Sequence, residues 1–319
     1  MAASDVRPNS FGHAVVNWDK LDKTKFYVLG TGIYTGIAVA LYPFTLVKTI
    51  LQVPSKDSVG RNAFSVIKEL LKSDGFPGLY RGLGTFITGA IPARIIFATV
   101  LETTKMSAFR VIEPFKLSEN TQAALANGVA GMISSFVSQA VFVPFDLVSQ
   151  KMMVQGCSGH AQYNGGLDVA RKILRSDGIR GLFRGFGLSV MTHSPSNAAW
   201  WASYGSSQRF IWGFVGHGTE HEEGTPSLHK LMLVQGAGGI IAAATASCIT
   251  NPLDTIKTRL QVGHDNKSSM KKVVKDLIKK EGWKGFYRGL GPRFISSSAS
   301  GTSMVLAYEY LKRLCVKDE

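Results

Sequence analysis

Cysteine is scarce in this chain. Its three cysteines, Cys157, Cys248 and Cys315, are widely separated among 319 residues and form no Cys-X-X-Cys pair. Closely spaced cysteines are typical of disulfide frameworks and of zinc sites. Neither kind of site is therefore expected, and we predict no metal site and no cofactor.

Catalytic motifs are also missing. The sequence contains no His-Glu-X-X-His, Gly-X-Ser-X-Gly or Gly-X4-Gly-Lys-Ser/Thr segment. An enzyme active site needs a nucleophile with its base, a metal cluster or a phosphate loop. We therefore predict no catalytic residue and no enzymatic activity. Residues 1–22 lack the apolar segment of a secretory signal and are expected to form an N-terminal tail.

Acidic residues are fewer than basic ones. The chain has 36 Lys and Arg against 22 Asp and Glu, a formal net charge of +14. Clustered cations are typical of nucleic-acid-binding proteins because they neutralise phosphates. Here, however, 22 of the 36 cations lie in three segments, 48–81, 151–184 and 257–288, which long apolar stretches separate. That pattern disfavours a nucleic-acid partner and favours basic loops on one side of a bilayer.

Two motifs recur three times in phase. The first is PFTLVKTILQ at 43–52, PFDLVSQKMM at 144–153 and PLDTIKTRLQ at 252–261. The second is DGFPGLYRG at 74–82, DGIRGLFRG at 177–185 and EGWKGFYRG at 281–289. Self-similarity at a fixed period indicates a repeat architecture. Each first motif ends an apolar stretch and each second motif introduces another, which predicts two membrane helices per repeat.

The repeats predict an all-α membrane protein with six transmembrane helices. We place these helices near 25–51, 79–109, 121–153, 182–212, 228–260 and 286–314. Between the two helices of each repeat, the segments 62–72, 166–175 and 271–280 alternate apolar and basic residues at helical spacing. They are expected to be short amphipathic helices that lie either at the membrane interface or in water.

Together the motifs resemble the mitochondrial carrier family, and the resemblance covers nearly the whole chain. It implies three pseudosymmetric repeats, at 23–112, 118–213 and 226–315, in a multi-pass protein of the mitochondrial inner membrane. It also implies a monomer that transports a small solute by alternating access, opening to one side of the membrane at a time. The surrounding lipid is expected to include cardiolipin on the matrix side.

Five segments carry a closer resemblance. They are WDKLDKTKFYVLG at 18–30, YPFTLVKT at 42–49, PFDLVSQ at 144–150, PSNAAWWASY at 195–204 and ATASCITNPLDTIKTR at 244–259. These segments are similar to the branched-chain amino acid carriers of the family, which implies a small amino acid as the solute. Another small carboxylate or a cofactor is the alternative.

The first motif suggests a gate on the matrix side. Residues three apart share one face of a helix, so its acid and its base can present paired charges together. In the family, these charges bridge neighbouring helices and close the cavity. The acid positions here are Thr45, Asp146 and Asp254, and the base positions are Lys48, Ser149 and Lys257. Two glutamines, Gln52 and Gln261, follow four residues after a base and are expected to brace the ion pairs.

The two missing charges decide the pairing order. If each acid pairs with the base of the next repeat, Asp146 pairs with Lys257. Asp254 then pairs with Lys48, and the two uncharged positions face each other. The reverse order would strand two charges in a constriction at considerable cost. The first order is therefore predicted.

The resemblance also implies a second gate, on the cytoplasmic side. Its matching positions are Glu102, Lys105, Tyr204, Gln208, Tyr308, Glu309 and Lys312. In the same pairing order, only Glu309 and Lys105 would form a full ion pair. We therefore expect this gate to open easily.

Family members contact their solute on the second helix of each repeat. The matching positions and their neighbours on the same faces are Gly89, Arg94, His193, Ser194, Asn197, Trp200, Trp201 and Ser297. Arg94 is an ionisable group inside a membrane helix, which makes it a functional candidate for holding a carboxylate. Asn197 could bind an ammonium or an amide. For His193 the alternative is helix packing, and for the tryptophans it is anchoring in lipid.

Overall fold

The computed structural model describes residues 23–53, 62–112, 119–155, 162–215, 228–263 and 269–315. Within these ranges the chain forms helices and turns and contains no β-strand. The all-α architecture predicted from the repeats is confirmed. The predicted N-terminal tail at 1–22 lies outside the described residues.

Long helices flank short ones in a pattern that repeats along the chain. The long ones are α1 (Lys23–Gln52), α4 (Leu83–Ile112), α5 (Glu119–Met153), α7 (Phe186–Val215), α8 (Leu228–Val262) and α10 (Leu290–Leu314). The short ones are α2 (Ala63–Ser73), α3 (Gly75–Gly78), α6 (Gly166–Leu182) and α9 (Met270–Glu281), and a 3-10 turn follows at Trp283–Tyr287. A long helix, a short amphipathic helix and a second long helix thus follow one another three times.

The second long helix of each repeat begins four residues later than predicted, at Leu83, Phe186 and Leu290. The reason is the last glycine of the second motif, whose φ is 80° in Gly82, 79° in Gly185 and 75° in Gly289. Only glycine enters this left-handed region at little cost. The backbone therefore turns sharply at the end of the motif, and the helix starts after it.

Four of the long helices are long and apolar enough to cross a membrane. These spans are Val28–Gln52, Leu83–Leu101, Val129–Met153 and Leu233–Val262, with a mean hydropathy between 1.4 and 1.6. The other two, α7 and α10, have the length but contain polar runs at 192–197 and 296–303. Polar residues in membrane helices face a bundle interior or a wet cavity, so α7 and α10 fit the remaining two spans.

The described residues divide into two compact units. The larger, called the motif unit below, comprises residues 42–196 and 250–292 and contains every copy of both motifs. The second unit comprises the described parts of 1–41, 197–249 and 293–319.

Three apolar clusters form the core of the motif unit. In each, the end of a long helix packs against the apolar side of a short one. The contacts involve Leu46, Ile50, Val66 and Leu70 in α1 and α2, Leu147, Val148, Val169 and Ile173 in α5 and α6, and Ile256, Val273 and Leu277 in α8 and α9. Burial of one such side chain contributes about 1.5–3 kcal/mol, so these contacts fix the short helices on the long ones.

The short helices lie where the sequence predicts them, with one difference in length. α6 was expected to end near residue 175 but continues to Leu182. It does so through Gly178, whose φ of 67° and ψ of −163° are not helical. α6 is therefore two helical pieces joined by a kink at Gly178, the first glycine of the second motif.

Candidate functional site

Two ion pairs join the ends of long helices in the motif unit. Lys48 Nζ on α1 lies 2.5 Å from Asp254 Oδ2 on α8, and Lys257 Nζ on α8 lies 2.8 Å from Asp146 Oδ2 on α5. The four side chains are at most 18% exposed. These are the two ion pairs of the first pairing order, while their role as a gate stays a prediction.

The spacing of the first motif explains this arrangement. Because its acid and base are three residues apart, they lie on the same side of the helix. α8 can therefore offer Asp254 to α1 and Lys257 to α5. In such a buried setting, removing one partner of an ion pair typically costs about 3–5 kcal/mol because the other charge is left uncompensated.

Gln52 reinforces the ion pair between α1 and α8. Its Nε2 donates to Asp254 Oδ2 at 2.9 Å, and its Oε1 accepts a hydrogen bond from Thr258 Oγ1 at 2.9 Å. The Gln52 side chain is fully buried. It thus makes the contact expected of a brace.

The ion pair between α8 and α5 is braced by a different residue from the one expected. Gln261 Nε2 donates to the carbonyl oxygen of Arg184 at 3.3 Å. Gln150 Nε2 instead donates to Asp146 Oδ2 at 2.9 Å. Sequence reasoning missed Gln150, although its position four residues after the acid would have indicated a contact along one helix face.

The two uncharged positions behave differently from each other. Ser149 is fully buried, its Oγ donates to the carbonyl oxygen of Gly82 at 3.0 Å, and it lies 3.2 Å from Tyr42 Oη on α1. Thr45 was expected opposite Ser149. It is half-buried, and its carbonyl oxygen accepts a hydrogen bond from Thr49 Oγ1 within α1. Tyr42, three residues before Thr45, is a contact that sequence reasoning missed.

Charges of the second motif connect the short helices to the long ones. Glu281 lies 2.8 Å from Arg259 and 3.2 Å from Arg288. In the first repeat, Asp74 pairs with Arg81. Arg259, which sequence reasoning also missed, donates to the carbonyl oxygen of Gln52 at 2.8 Å. The end of α1 and the start of α10 are therefore tied to α8.

Four of the predicted solute contacts belong to the motif unit. Gly89 is buried, and a Cβ at this position would lie 2.4 Å from the Cβ of Phe145 on α5. This geometry favours close packing of α4 and α5 over contact with a solute. Arg94 and His193 are exposed and Ser194 is half-buried.

The other predicted contacts belong to the second unit. Asn197 on α7 is exposed and Ser297 on α10 is half-buried. The side chain of Trp201 lies outside the described part of the chain. Trp200 stacks on Tyr204 with 4.9 Å between ring centroids, and a Cβ at Gly301 would approach its ring to 3.0 Å. Trp200 therefore packs between α7 and α10.

The predicted cytoplasmic gate is described only in part. Tyr204 and Gln208 are buried, and both approach Gly238 on α8, where a Cβ would lie within 3.5 Å of each. The other positions are Glu102, Lys105, Tyr308, Glu309 and Lys312, whose side chains lie outside the described residues. Their pairing stays a prediction.

A comparison with family models identifies the three repeats directly. The model of the mitochondrial carrier protein family matches residues 25–110, 120–214 and 229–319. The chain belongs to the mitochondrial carrier family.

Relatives match this carrier over nearly their full length. Solute carrier family 25 member 44 of Mus musculus is 35% identical over 96% of this chain and 95% of that protein. The protein of the same name from Homo sapiens is 34% identical over the same shares. Mitoferrin of Dictyostelium discoideum is 29% identical over 90% of this chain and 94% of that protein.

Membership places the carrier among transport proteins of a mitochondrial membrane. Proteins of this family are transporters rather than enzymes. A small molecule as solute and several apolar helices embedded in lipid follow from membership and from the spans described above.

Proposed function

We propose that this carrier moves a small amino acid, such as a branched-chain amino acid, across the mitochondrial inner membrane by alternating access. The observation that carries the proposal is the charge arrangement of the motif unit. Two ion pairs use the acid and base positions of the first motif, and Arg94 is the fixed charge among the predicted contact positions. One guanidinium suits one carboxylate.

A small carboxylate fits this arrangement better than a nucleotide or a coenzyme. Phosphate groups are bound by clusters of Arg and Lys. Beside Arg94, the predicted contact positions offer a histidine, small hydroxyl residues and an amide, Asn197. A zwitterion with one carboxylate and one ammonium matches this chemistry, and the five segments similar to branched-chain amino acid carriers support an amino acid.

The two ion pairs support alternating access. They join α1 with α8 and α8 with α5, so α8 cannot move away from both neighbours at this end unless both ion pairs separate. Buried ion pairs with a bracing amide hold such a constriction closed until binding of a solute offsets the cost. We assign this end to the matrix side, because the basic segments of the repeats lie there and favour that side.

The proposed carrier is a monomer surrounded by lipid, with neither enzymatic activity nor a nucleic-acid partner. Cardiolipin is the proposed lipid on the matrix side. A cavity of about 260 Å³ supports it, because its lining includes Asn62 and Ala63 at the start of α2 and Arg288 and Gly289 before α10. Helix starts and arginine both attract phosphate.

A thermal-shift screen of the purified carrier tests the substrate class. A solute that binds only the folded carrier raises its melting temperature. We expect branched-chain amino acids to do so and the corresponding keto acids to do so less, and uptake into liposomes should follow the same ranking. A stronger shift with another carboxylate or with a cofactor, accompanied by its uptake, would replace the amino acid in this proposal.

A further inference from the structure

Among the described residues, the junction between the first and second repeats contains no ion pair of the first motif. It contains two buried hydroxyl groups instead: Tyr42 is 1% exposed and Ser149 is 0% exposed. Tyr42 Oη donates to the carbonyl oxygen of Arg81 at 2.7 Å and lies 3.2 Å from Ser149 Oγ. Because the hydrogen of Tyr42 is used for Arg81, the single hydrogen of Ser149 is shared between the carbonyl oxygen of Gly82, at 3.0 Å, and Tyr42 Oη, which accepts it. Both hydroxyls therefore meet at the turn that precedes α4.

We propose that Tyr42 and Ser149 form an uncharged latch, a third connection that holds the matrix end closed beside the two ion pairs. The inference rests on the proposed function, since a latch matters only if this end opens. The position of the latch between the first and second repeats supports this role. One ion pair joins the third repeat to the first and the other joins the second to the third. The Tyr42 contact joins the first repeat to the second and so completes the ring.

The surroundings of Tyr42 hold its hydroxyl in place. The ring stacks on Tyr80 with 6.4 Å between centroids and meets the edge of Phe86 at 5.8 Å. Gly82 has a φ of 80°, and a Cβ there would lie 2.9 Å from the carbonyl oxygen of Ser149 and 3.0 Å from its Oγ. No side chain fits between the turn and α5, so the serine reaches the backbone directly.

The third repeat shows how the residue before the proline contacts the turn. Asn251 occupies the position of Tyr42, directly before the proline, and its Nδ2 donates to the carbonyl oxygen of Phe286 at 2.8 Å. Both residues thus bond to a carbonyl of the second motif in their own repeat. Tyr42 also lies 3.2 Å from Ser149 of the second repeat, and this contact together with the bond from Ser149 to Gly82 makes up the latch.

An uncharged latch has a consequence for opening. Separating a buried ion pair exposes two charges that must find other partners, whereas separating two hydroxyls leaves only neutral groups to be hydrated. The junction of the first and second repeats is therefore the one that separates at the lowest cost. The missing charges at Thr45 and Ser149 make this junction the weakest of the three.

A double-mutant cycle tests the contact without any solute. Tyr42→Phe and Ser149→Ala each remove one hydroxyl with little change in shape, and the purified single and double variants are compared by thermal melting. We expect the double variant to lose clearly less than the two single losses combined. Thr49→Val is the matched control, because Thr49 is a buried residue of α1 whose hydroxyl bonds to Thr45 within the same helix. The stability loss of Thr49→Val should simply add to that of Ser149→Ala in the double variant.

Transport kinetics test the gating role. The apparent affinity on one side scales with the fraction of carriers open to that side. With the solute that the thermal shifts identify, Tyr42→Phe should lower the matrix-side KM by roughly two- to tenfold, the worth of one hydrogen bond. Thr49→Val should leave it unchanged. Should Tyr42→Phe not assemble, Ser149→Ala should lower the same KM.

Two results would overturn the latch. Additive stability losses for Tyr42 and Ser149 would show that the two hydroxyls do not act together. A coupled cycle with an unchanged matrix-side KM would show that they only pack, since a packing defect reduces the amount of active carrier and leaves KM alone. The cycle needs no solute, so it remains valid if the amino acid proposal is wrong.

Discussion

At the scale of single residues, each of the two ion pairs of the first motif places two donors on one carboxylate oxygen. Asp254 Oδ2 receives Lys48 from α1 and Gln52 from the same helix. Asp146 Oδ2 receives Lys257 from α8, but its second donor, Gln150, comes from the helix of the acid itself. The second brace therefore orients the carboxylate without adding a link between helices.

The hydrogen bond from Gln150 to Asp146 predicts the effect of replacing Gln150. Gln150→Leu should lower the free energy of unfolding by about 1.5–3 kcal/mol, because it deletes a buried hydrogen bond to a charged group. Thermal melting of the purified carrier measures the loss. Gln261→Leu is the control and should cost less, since its amide donates to the neutral carbonyl of Arg184. A larger loss at Gln261 would make it the brace and refute the assignment to Gln150.

The sequence could predict the pairing order but not every contact. Two of the six charges are missing, and only one order leaves no charge stranded, so Asp146 and Asp254 could be assigned by elimination. The bond of Gln261 to the turn of the second repeat depends on how closely α8 approaches Gly185, whose Cβ would lie 3.2 Å from Gln261 Cγ. The spacing of residues along the chain does not determine that distance.

Arg94 is the residue on which the substrate proposal depends most directly. Arg94→Ala should raise the KM for a carboxylate solute by about 10- to 100-fold, because a charged hydrogen-bonding partner is lost. Arg94→Lys should recover part of this loss, since it keeps the charge but not the planar fork. His193→Ala should have a smaller effect on KM. Uptake into liposomes is the measurement, with melting curves as the control for folding, and normal uptake by Arg94→Ala would remove this residue from the site.

At the scale of elements, the turn before the second long helix of each repeat depends on one glycine. The three glycines share a positive φ but face different neighbours. A Cβ at Gly82 would meet the carbonyl oxygen of Ser149 at 2.9 Å, and one at Gly289 would meet that of Lys48 at 3.0 Å. At Gly185 the nearest atom is the side-chain Cγ of Gln261, at 3.2 Å, which can move aside.

The stability losses of alanine variants at these three glycines should therefore differ according to the atom that the new Cβ meets, because the backbone angle is nearly the same in all three. The left-handed backbone costs each variant about 1–2 kcal/mol. Gly82→Ala and Gly289→Ala should lose more than this because backbone carbonyls must shift, whereas Gly185→Ala should stay near it. Gly291→Ala, where a Cβ meets nothing within 4 Å, is the control and should be close to neutral. Equal melting temperatures for all three motif variants would show that the contacts do not matter.

The element bounds show where sequence reasoning reaches its limit. The first motif placed the ends of α1, α5 and α8 within two residues, because apolar stretches end there at recognisable polar residues. The starts of α4, α7 and α10 were set four residues too early, since the sequence of the second motif is compatible with a helical turn. Only the backbone angle of the last glycine marks the true boundary.

At the scale of the whole molecule, the short helices and the turns after them carry apolar residues that the described part of the chain leaves exposed. Phe76, Ile179 and Trp283, each two residues after the acid of the second motif, are between 70% and 76% exposed. Leu71, Leu174 and Ile278, each three residues before that acid, are also exposed. Basic residues follow directly at Lys72, Arg175 and Lys279. This threefold pattern favours membrane-interface helices over helices in water.

Nitroxide labels on α6 can decide between interface and water. Leu174 and Lys172 are two residues apart and so lie on nearly opposite sides of the helix. Each is replaced by Cys in a carrier whose Cys157, Cys248 and Cys315 are changed to Ser, and the labelled protein is placed in liposomes. Because oxygen concentrates in lipid and a nickel chelate stays in water, we expect oxygen to relax the label at Leu174 more strongly. The nickel chelate should relax the label at Lys172 more strongly, and similar nickel accessibility at both positions would place α6 in water.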